Sequence, residues 1–457
     1  MNAESGDDQA CRKAVARWLT AKPLWSRALA ALRTCDLPVY LVGGSIRDAL
    51  RGESGVDMDL AVDGSAVDGG AISLGRWLAD RLGGAFYPMD REHDVARIIL
   101  DRDGPSYHID LAGLRGKTIL QDLAARDLTI NAMGMALTAP LGPLLDPTGG
   151  RDDLARGLVR AAYPDAFADD PVRMLRALRL AGSLDMALDS DSYALIRAHR
   201  DMLKRVSAER IRDELFLMLA LDTVMPLRHA LALGLLERML PVPEHNSALG
   251  GIAWIEALHA GGRWDENGEA HPEKVREAWR QPMVEGRLRG AIVSLAALVA
   301  EVPASKREGL GARLRLSGRE QAHLKGILAA LDDVLWASDR EPGPGAAHRY
   351  FRRYGEAGVD GAMLAAYRPG ATQAHIRVVA YLLWAWFDAY TQIVEPPRLL
   401  QGHDLIQEFD LQPGPRIGRL LAVLAEAQAE GRVLSGEQAR EYIRRLVALD
   451  KVKGNCI

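Results

Sequence analysis

One segment constrains the fold more than any other: the stretch from Leu41 to Leu60, LVGGSIRDALRGESGVDMDL. An apolar β-branched run ends at Gly43-Gly44, a helical pattern follows, and a second strand-like run carries Asp57 and Asp59. Residues two apart on a strand point to the same face, so both carboxylates should lie on one side with Met58 in the core. The segment therefore predicts a strand, glycine turn, helix and strand unit.

These residue types suit phosphate chemistry. Two carboxylates can hold Mg²⁺ through oxygen ligands and leave positions open for substrate phosphate and water. The glycine turn and the helix that follows it present N–H groups to a phosphate, and Arg47 lies one turn into that helix. Taken separately, Gly-Gly and Asp-x-Asp are more often an ordinary turn and a solvated strand end, but this order and spacing favour a nucleotide site.

The secondary-structure pattern changes near residue 150. Before it, a helix is expected at 25–32 and short strands at the ranges 38–42, 56–62, 94–100 and 107–112. After it, long helical patterns dominate, as at 171–181 and 208–221. The expected fold class is α+β, a small mixed sheet with helices followed by an all-helical remainder. Candidate linkers, rich in glycine and proline, are 261–272, 340–346 and 412–415.

Composition excludes several classes of protein. The 457 residues carry a formal net charge of −4, which excludes a globally basic nucleic-acid coat, although arginine outnumbers lysine. Cys11, Cys35 and Cys456 are too scattered for a disulfide framework or a zinc site. The chain shows neither a signal peptide nor a membrane span. We therefore expect a cytoplasmic protein with no membrane association, and we predict no protein partner.

Six motifs occur in order within about residues 38 to 220. They are LVGGSIRD at 41–48, DMD at 57–59, RDLTINA at 126–132, DPTGG at 146–150, FADDPVRMLRALR at 167–179 and SAERIRDEL at 207–215. With these motifs the chain resembles the class II tRNA nucleotidyltransferase and poly(A) polymerase family, whose catalytic heads open with L-V-G-G-x-x-R-D followed by D-x-D. The departures are Ala125, where a second arginine often precedes the motif, and Leu128, where an aromatic is frequent.

The resemblance implies a polymerase-β-like nucleotidyltransferase head at 22–150. It further implies a helical neck with base-recognition and RNA-binding helices at 151–230, a body at 231–395 that could be a degenerate HD-type domain, and an RNA-binding tail at 396–457. By the same resemblance, the catalytic Mg²⁺ is bound by Asp57 and Asp59, and nucleotide phosphates and sugar are contacted by Gly44, Arg47 and Arg126. The incoming base edge is read by Asp170 and Arg173, with Arg176 and Arg179 beside the phosphates.

Two assignments stay open on the residues alone. The residues Asp170, Arg173, Arg176 and Arg179 recur every three positions, a spacing that also suits a solvated charged helix face. Asp110 is either a third carboxylate near the metal or an ordinary strand-end aspartate, so we leave it out of the metal ligands.

The expected activity is template-independent addition of CTP and/or ATP to the 3′ end of tRNA, in which the RNA 3′-hydroxyl attacks the α-phosphate. The alternatives are a specialist that adds only CC or only A, a poly(A) polymerase acting on other RNAs, and an inactive RNA-binding protein. The segment 86–97 lacks the basic signature of many bacterial poly(A) polymerases, which favours tRNA. Asp57, Asp59 and Arg126 are all present, which argues against an inactive protein.

Overall fold

The computed structural model describes residues 6–64, 70–100, 106–240, 245–260, 271–284, 286–336 and 342–452. The chain divides into two compact units. The first comprises Met1–Ser207 with Leu233–Arg238, and the second comprises Ala208–Ala232 with Met239–Ile457.

A seven-stranded sheet organises the first unit, in the order β3-β4-β5-β2-β1-β6-β7. Its strands are β1 (Val39–Val42), β2 (Asp57–Val62), β3 (Ala85–Asp90), β4 (Val95–Leu100), β5 (Tyr107–Gly113), β6 (Gly134–Ala136) and β7 (Leu144–Leu145). Neighbours are antiparallel except β2 and β5, which are parallel. The four strands expected from sequence are confirmed. The unpredicted ones are β3, which is mostly exposed and lacks an apolar alternation, and the very short β6 and β7.

Helices cover the sheet and build the rest of the first unit. They are α1 (Gly6–Thr20), α2 (Pro23–Leu32), α3 (Gly44–Arg51), α4 (Gly70–Leu82), α5 (Ile119–Ala124), α6 (Gly150–Arg156), α7 (Ala166–Asp169), α8 (Val172–Ser183) and α9 (Ser190–His199), with 3₁₀ turns at Thr129–Asn131 and Arg200–Arg205. A small parallel ribbon pairs β8 (Leu158–Val159) with β9 (Ala187–Leu188).

The hydrophobic core of the sheet includes helix α1, which precedes the expected start of the head at residue 22. Val15 and Leu19 of α1 are fully buried in this core. Trp18 stacks on Trp25 with ring centroids 5.8 Å apart, and Trp25 meets the edge of Tyr107 at 5.5 Å. The two N-terminal helices thus anchor the outer face of the sheet through aromatic contacts.

In its described residues the second unit is helical apart from one two-stranded ribbon, β10 (Pro282–Val284) with β11 (Arg287–Leu288). Its helices are α10 (Ala208–Leu219), α11 (Met225–Ala232), α12 (Leu236–Met239, shared with the first unit), α13 (His245–Ala260), α14 (Pro272–Trp279), α15 (Arg289–Val299), α16 (Ala304–Arg307), α17 (Leu310–Arg313), α18 (Gly318–Trp336), α19 (Pro344–Tyr354), α20 (Glu356–Ala366), α21 (Gln373–Phe387), α22 (Gly402–Phe409), α23 (Pro415–Ala429) and α24 (Gly436–Val452), with a π-helix at Tyr390–Val394. The expected α+β class with a helical remainder is confirmed.

The structure describes only parts of the three candidate linkers. Residues 261–270 and 340–341 lie outside the described residues. Helix α19 already begins at Pro344, while Gln412 to Gly414 form part of a short connection between α22 and α23. In the described ranges, no helix combines the length and the apolar character needed to cross a bilayer.

Candidate active site

The glycine turn between β1 and α3 shapes one wall of the site. Gly43 has φ +66°, a left-handed conformation that favours glycine. A Cβ added at Gly43 would lie 3.2 Å from the Arg126 guanidinium and 3.3 Å from Asp59 Oδ2, and one at Gly44 would lie 3.3 Å from the same carboxylate oxygen. A side chain at either position would displace the acidic group by a few tenths of an ångström, and at Gly43 it would also strain the backbone.

The two predicted metal ligands extend from β2 as its alternation requires. Met58 between them is fully buried, whereas the Asp57 side chain is 62% exposed. Asp57 Oδ1 lies 3.0 Å from Nδ1 of His108 on β5. The Asp59 backbone N–H donates to Ser45 Oγ at 2.8 Å, which ties β2 to the start of α3. One carboxylate thus faces solvent and the other lies against the glycine turn.

Asp110 lies directly beside Asp59, because the parallel register of β2 and β5 pairs these two residues. Its carboxylate is held by Arg97, whose Nε and Nη2 donate to the two oxygens at 2.7 and 2.8 Å. Asp110 is therefore a third acidic group on this face of the sheet, but one with a bidentate arginine partner.

The Asp59 carboxylate lies in an unfavourable electrostatic environment. Burial raises the pKa of Asp59, and the nearby negative charges of Asp110 and Asp57 raise it further, while Arg126 and Arg176 oppose the shift. The net effect is a carboxylate whose negative charge is poorly compensated by the protein. A cation would relieve that repulsion.

The donor set fits a hard divalent cation. Carboxylate oxygens are the ligands of such ions, and Mg²⁺ is usually held by one or two carboxylates plus substrate phosphates and water. Among the described residues, no group of three or more His, Cys, Asp or Glu side chains is placed to hold a metal. The chain therefore offers two carboxylates here rather than a complete cage.

The two arginines predicted to contact phosphate are each held by a partner on a neighbouring segment. Arg47 Nη1 donates to the Asn131 side-chain oxygen at 2.7 Å, and its Nε donates to Asp48 at 2.9 Å. Arg126 donates from Nε and Nη2 to one oxygen of buried Asp122, at 3.1 and 2.9 Å. These contacts fix both guanidinium groups before any ligand arrives.

Helix α8 is connected through Arg176 and Asp127 to the segment that follows α5. Arg176 Nε lies 2.7 Å from an Asp127 oxygen, and the other oxygen of Asp127 accepts the Leu128 N–H at 2.9 Å. The Asp127 carboxylate is thus already engaged on both oxygens. Arg179 lies one turn further along α8 and is half-buried.

Arg173 faces the segment that precedes α8 rather than open solvent. Its Nη1 donates to the Tyr163 hydroxyl at 2.9 Å, and its Nη2 reaches the carbonyl of Ala125 at 3.5 Å. Asp170 lies 3.9 Å from Arg173 Nε. Only 13% of the Arg173 side chain is exposed, so a solvated charged face does not describe this residue.

Sequence reasoning missed four residues that position the site: Asp122, Asn131, His108 and Tyr163. Two had a signal. Asp122 precedes Arg126 by four residues, the spacing of a helical ion pair, and His108 alternates with Asp110 on one strand. For Asn131 and Tyr163 the contact depends on the tertiary fold, so no local spacing could have indicated it.

Replacing Asp59 by asparagine should stabilise the protein at neutral pH. The raised pKa of Asp59 means that its ionised form is disfavoured in the fold, a cost present above that pKa and lost as the group becomes protonated at lower pH. Thermal unfolding should therefore show a higher Tm for Asp59→Asn at pH 7, with the difference shrinking on acidification. The exposed Asp57→Asn is the matched control and should change Tm less; an Asp59→Asn Tm at or below wild type at pH 7 would contradict this account.

A family model described as "Poly A polymerase head domain" matches residues 39–160, and one described as "Probable RNA and SrmB- binding site of polymerase A" matches 185–249. A CCA-adding enzyme solved in complex with ATP superposes with a TM-score of 0.72 at 21% identity, covering 95% of this chain and 98% of that one. The Thermotoga maritima CCA-adding enzyme complexed with tRNA gives 0.68 at 21% identity over 95% and 98%. These likenesses establish the fold.

Relatives in sequence extend over nearly the whole chain. The CC-adding tRNA nucleotidyltransferase of Geobacter sulfurreducens is 33% identical, covering 93% of this chain and 95% of that protein. The CC-adding enzyme of Synechocystis is 30% identical over 89% and 93%, and the A-adding enzyme of Deinococcus radiodurans 30% over 89% and 94%. The chain therefore belongs to the tRNA nucleotidyltransferase and poly(A) polymerase family, and it is a nucleotidyltransferase.

Proposed function

We propose that this protein adds nucleotides from CTP and/or ATP to the 3′ end of tRNA without a template. The observation that carries the proposal is the carboxylate of Asp59 packed against the Gly43-Gly44 turn, with Asp57 beside it on the same strand. The family and the names of three relatives that match about nine-tenths of the chain support tRNA as the acceptor.

The proposed catalytic residues are Asp57 and Asp59, which would hold Mg²⁺. Bound there, the ion would lower the pKa of the attacking RNA 3′-hydroxyl and neutralise charge on the α-phosphate and the leaving pyrophosphate. The side chains orient the site: His108 holds Asp57, and the glycine turn holds Asp59 in a partly dehydrated position. The mechanism requires no covalent enzyme intermediate.

The triphosphate is proposed to lie along the glycine turn. The Gly44 backbone begins helix α3, whose N-terminal N–H groups favour a negative charge. Arg47 and Arg126 flank this turn, and each is anchored by one or more polar partners so that little rotamer freedom is lost when phosphate binds. Because both arginines are partly buried, their charge acts on phosphate with less screening than a surface charge.

Selection of the base is proposed to rest on Asp170 and Arg173, with Arg176 and Arg179 toward the phosphates. A carboxylate can accept from the exocyclic amine that cytosine and adenine share, and a guanidinium can donate to ring acceptors. Uracil and guanine do not present the same pattern. The anchoring of Arg173 by Tyr163 gives such a reading surface a fixed geometry.

The chain is proposed to consist of a catalytic head at 22–150, a helical neck at 151–230, a helical body at 231–395 and a tail at 396–457, with the neck and the tail binding the RNA. An HD-type fold for the body stays a prediction. We place the activity in the cytoplasm, where few and scattered cysteines suit a reducing compartment. Cell fractionation checks this location.

Defined tRNA ends test the function directly. The purified protein is incubated with tRNA that lacks the CCA end, tRNA that ends in CC and complete tRNA, each with CTP, ATP or both, and the products are resolved to the nucleotide. Addition of one to three nucleotides to either or both of the first two tRNAs supports the proposal. Addition of two cytidines without adenosine is the product expected from the 33% identical relative.

The same experiment distinguishes the alternatives. A single adenosine added only after CC marks an A-adding enzyme, and completion of CCA marks the full activity. A long adenosine tail on any RNA would identify a poly(A) polymerase and contradict tRNA as the substrate. No addition to any RNA would support an inactive RNA-binding protein.

Arg173→Ala should relax the choice of nucleotide. Loss of a two-donor contact to a base is worth about 1–3 kcal/mol, or about fivefold to 150-fold in discrimination. The ratio of kcat/KM for the preferred nucleotide to that for UTP and GTP should fall by that factor. Arg197→Ala, an exposed arginine on α9, is the control, and an unchanged ratio in Arg173→Ala would remove this residue from base selection.

A further inference from the structure

A cavity of about 480 Å³ lies in the second unit, far along the chain from the carboxylates of β2. It is partly open to solvent and is lined by residues of helix α19, the π-helix at Tyr390–Val394 and helix α23. Its volume falls in the range of pockets that bind small organic ligands. π-Helical turns are rare and occur often at functional sites, because the extra residue redirects the side chains around it.

One wall of the cavity is aromatic. Trp386 lies in contact with Phe351, with ring centroids 4.9 Å apart, and with Tyr390 at 5.2 Å in an edge-to-face arrangement. All three line the cavity, and Tyr390 is 37% exposed. Such a cluster offers ring surface on which a planar heteroaromatic group can stack.

A buried polar atom beside this wall has no partner. His348 is 4% exposed, and its Nδ1 lies 2.9 Å from the carbonyl oxygen of Ile393. Since a carbonyl only accepts, Nδ1 must carry the hydrogen, which leaves Nε2 as an acceptor. Nε2 is buried and makes no hydrogen bond in the described structure. An N–H donor from a ligand would satisfy it, and every nucleobase carries one.

Two arginines add positive charge to the lining. Arg352 and Arg398 are exposed, and within the described part of the chain neither forms a hydrogen bond or an ion pair. Glu395 lines the same cavity, but its carboxylate accepts from the Tyr390 hydroxyl at 3.4 Å. Uncommitted guanidinium groups beside an aromatic wall match a phosphate attached to a planar base.

We propose that this cavity binds a nucleotide, with the base against Trp386 and Tyr390 and the phosphate at Arg352 and Arg398. The nucleotide comes either from solution or from an unstacked position of the RNA substrate, since both present the same chemistry. Binding of a base of the RNA substrate in the cavity rests on the proposed function, whereas binding of a free nucleotide does not. In both cases the ligand binds residues of the second unit and none of the residues proposed for catalysis.

Equilibrium dialysis with labelled AMP tests the free nucleotide. The full chain is used, and because the first unit is itself proposed to bind nucleotide, the readout is the number of AMP molecules bound per chain. A cavity open to free nucleotide gives two in the wild type and in Arg377→Ala, an exposed arginine of α21 outside the cavity lining, and one in the double variant Arg352→Ala/Arg398→Ala.

Fluorescence anisotropy with labelled tRNA tests the RNA source without requiring turnover. If an RNA base fills the cavity, every variant binds one AMP, and tRNA affinity falls about tenfold or more in both Tyr390→Ala and the double arginine variant. Tyr390→Phe keeps the ring and should bind like the wild type, as should Arg377→Ala. Melting temperatures confirm that each variant is folded.

Two results would overturn the proposal. One is an AMP count that is the same in the wild type and in the double arginine variant, together with unchanged tRNA affinity in all variants. The other is the same unchanged AMP count together with a loss of tRNA affinity in the double arginine variant alone, which would identify a phosphate contact with no bound base. Neither result depends on nucleotide addition, so failure here is distinct from failure of the proposed function.

Discussion

The close packing of Asp59 against a turn of two glycines is the constraint on which the site depends. A Cβ at either position would lie 3.3 Å from the carboxylate oxygen, so a side chain there would push the acid of the strand a few tenths of an ångström away from the turn. The same packing withdraws the carboxylate from water beside Asp110 and Asp57, and its pKa rises in consequence. An arrangement that is unfavourable for the isolated fold would become favourable on binding of the proposed cation and triphosphate.

Around that carboxylate the fold places charges that are already oriented. Arg126 is held by buried Asp122, and Arg176 reaches across from α8 to Asp127. The pair between Arg176 and Asp127 joins the segment after α5 to the helix proposed to read the base. Since the groups that would bind phosphate and those that would read the base share this network, ordering of one can stabilise the other. Preorganised charges of this kind favour the transition state because they need little rearrangement when the reaction occurs.

Much of the candidate site could be predicted from the sequence, for physical reasons. Strict alternation placed Asp57 and Asp59 on one face with Met58 buried, and the order of glycine turn, helix and acidic strand was recognisable as a unit. The residues that contact these carboxylates were harder to predict from the sequence. The position of Asp110 beside Asp59 requires the parallel register of β2 and β5, which local patterns do not determine. The exposed edge strand β3 carries no apolar alternation, and the contact between Arg173 and Tyr163 exists only after α8 folds back.

The central claim is that Asp57 and Asp59 act together with Mg²⁺ in nucleotide transfer. The most direct measurement is single-turnover addition of CTP to tRNA across a Mg²⁺ titration, comparing the wild type with Asp57→Asn and Asp59→Asn. The account predicts that both variants bind tRNA and remain folded but lose at least about a hundredfold in rate at every Mg²⁺ concentration, because several kcal/mol of charge stabilisation is removed. Rates near that of the wild type in both variants would contradict it.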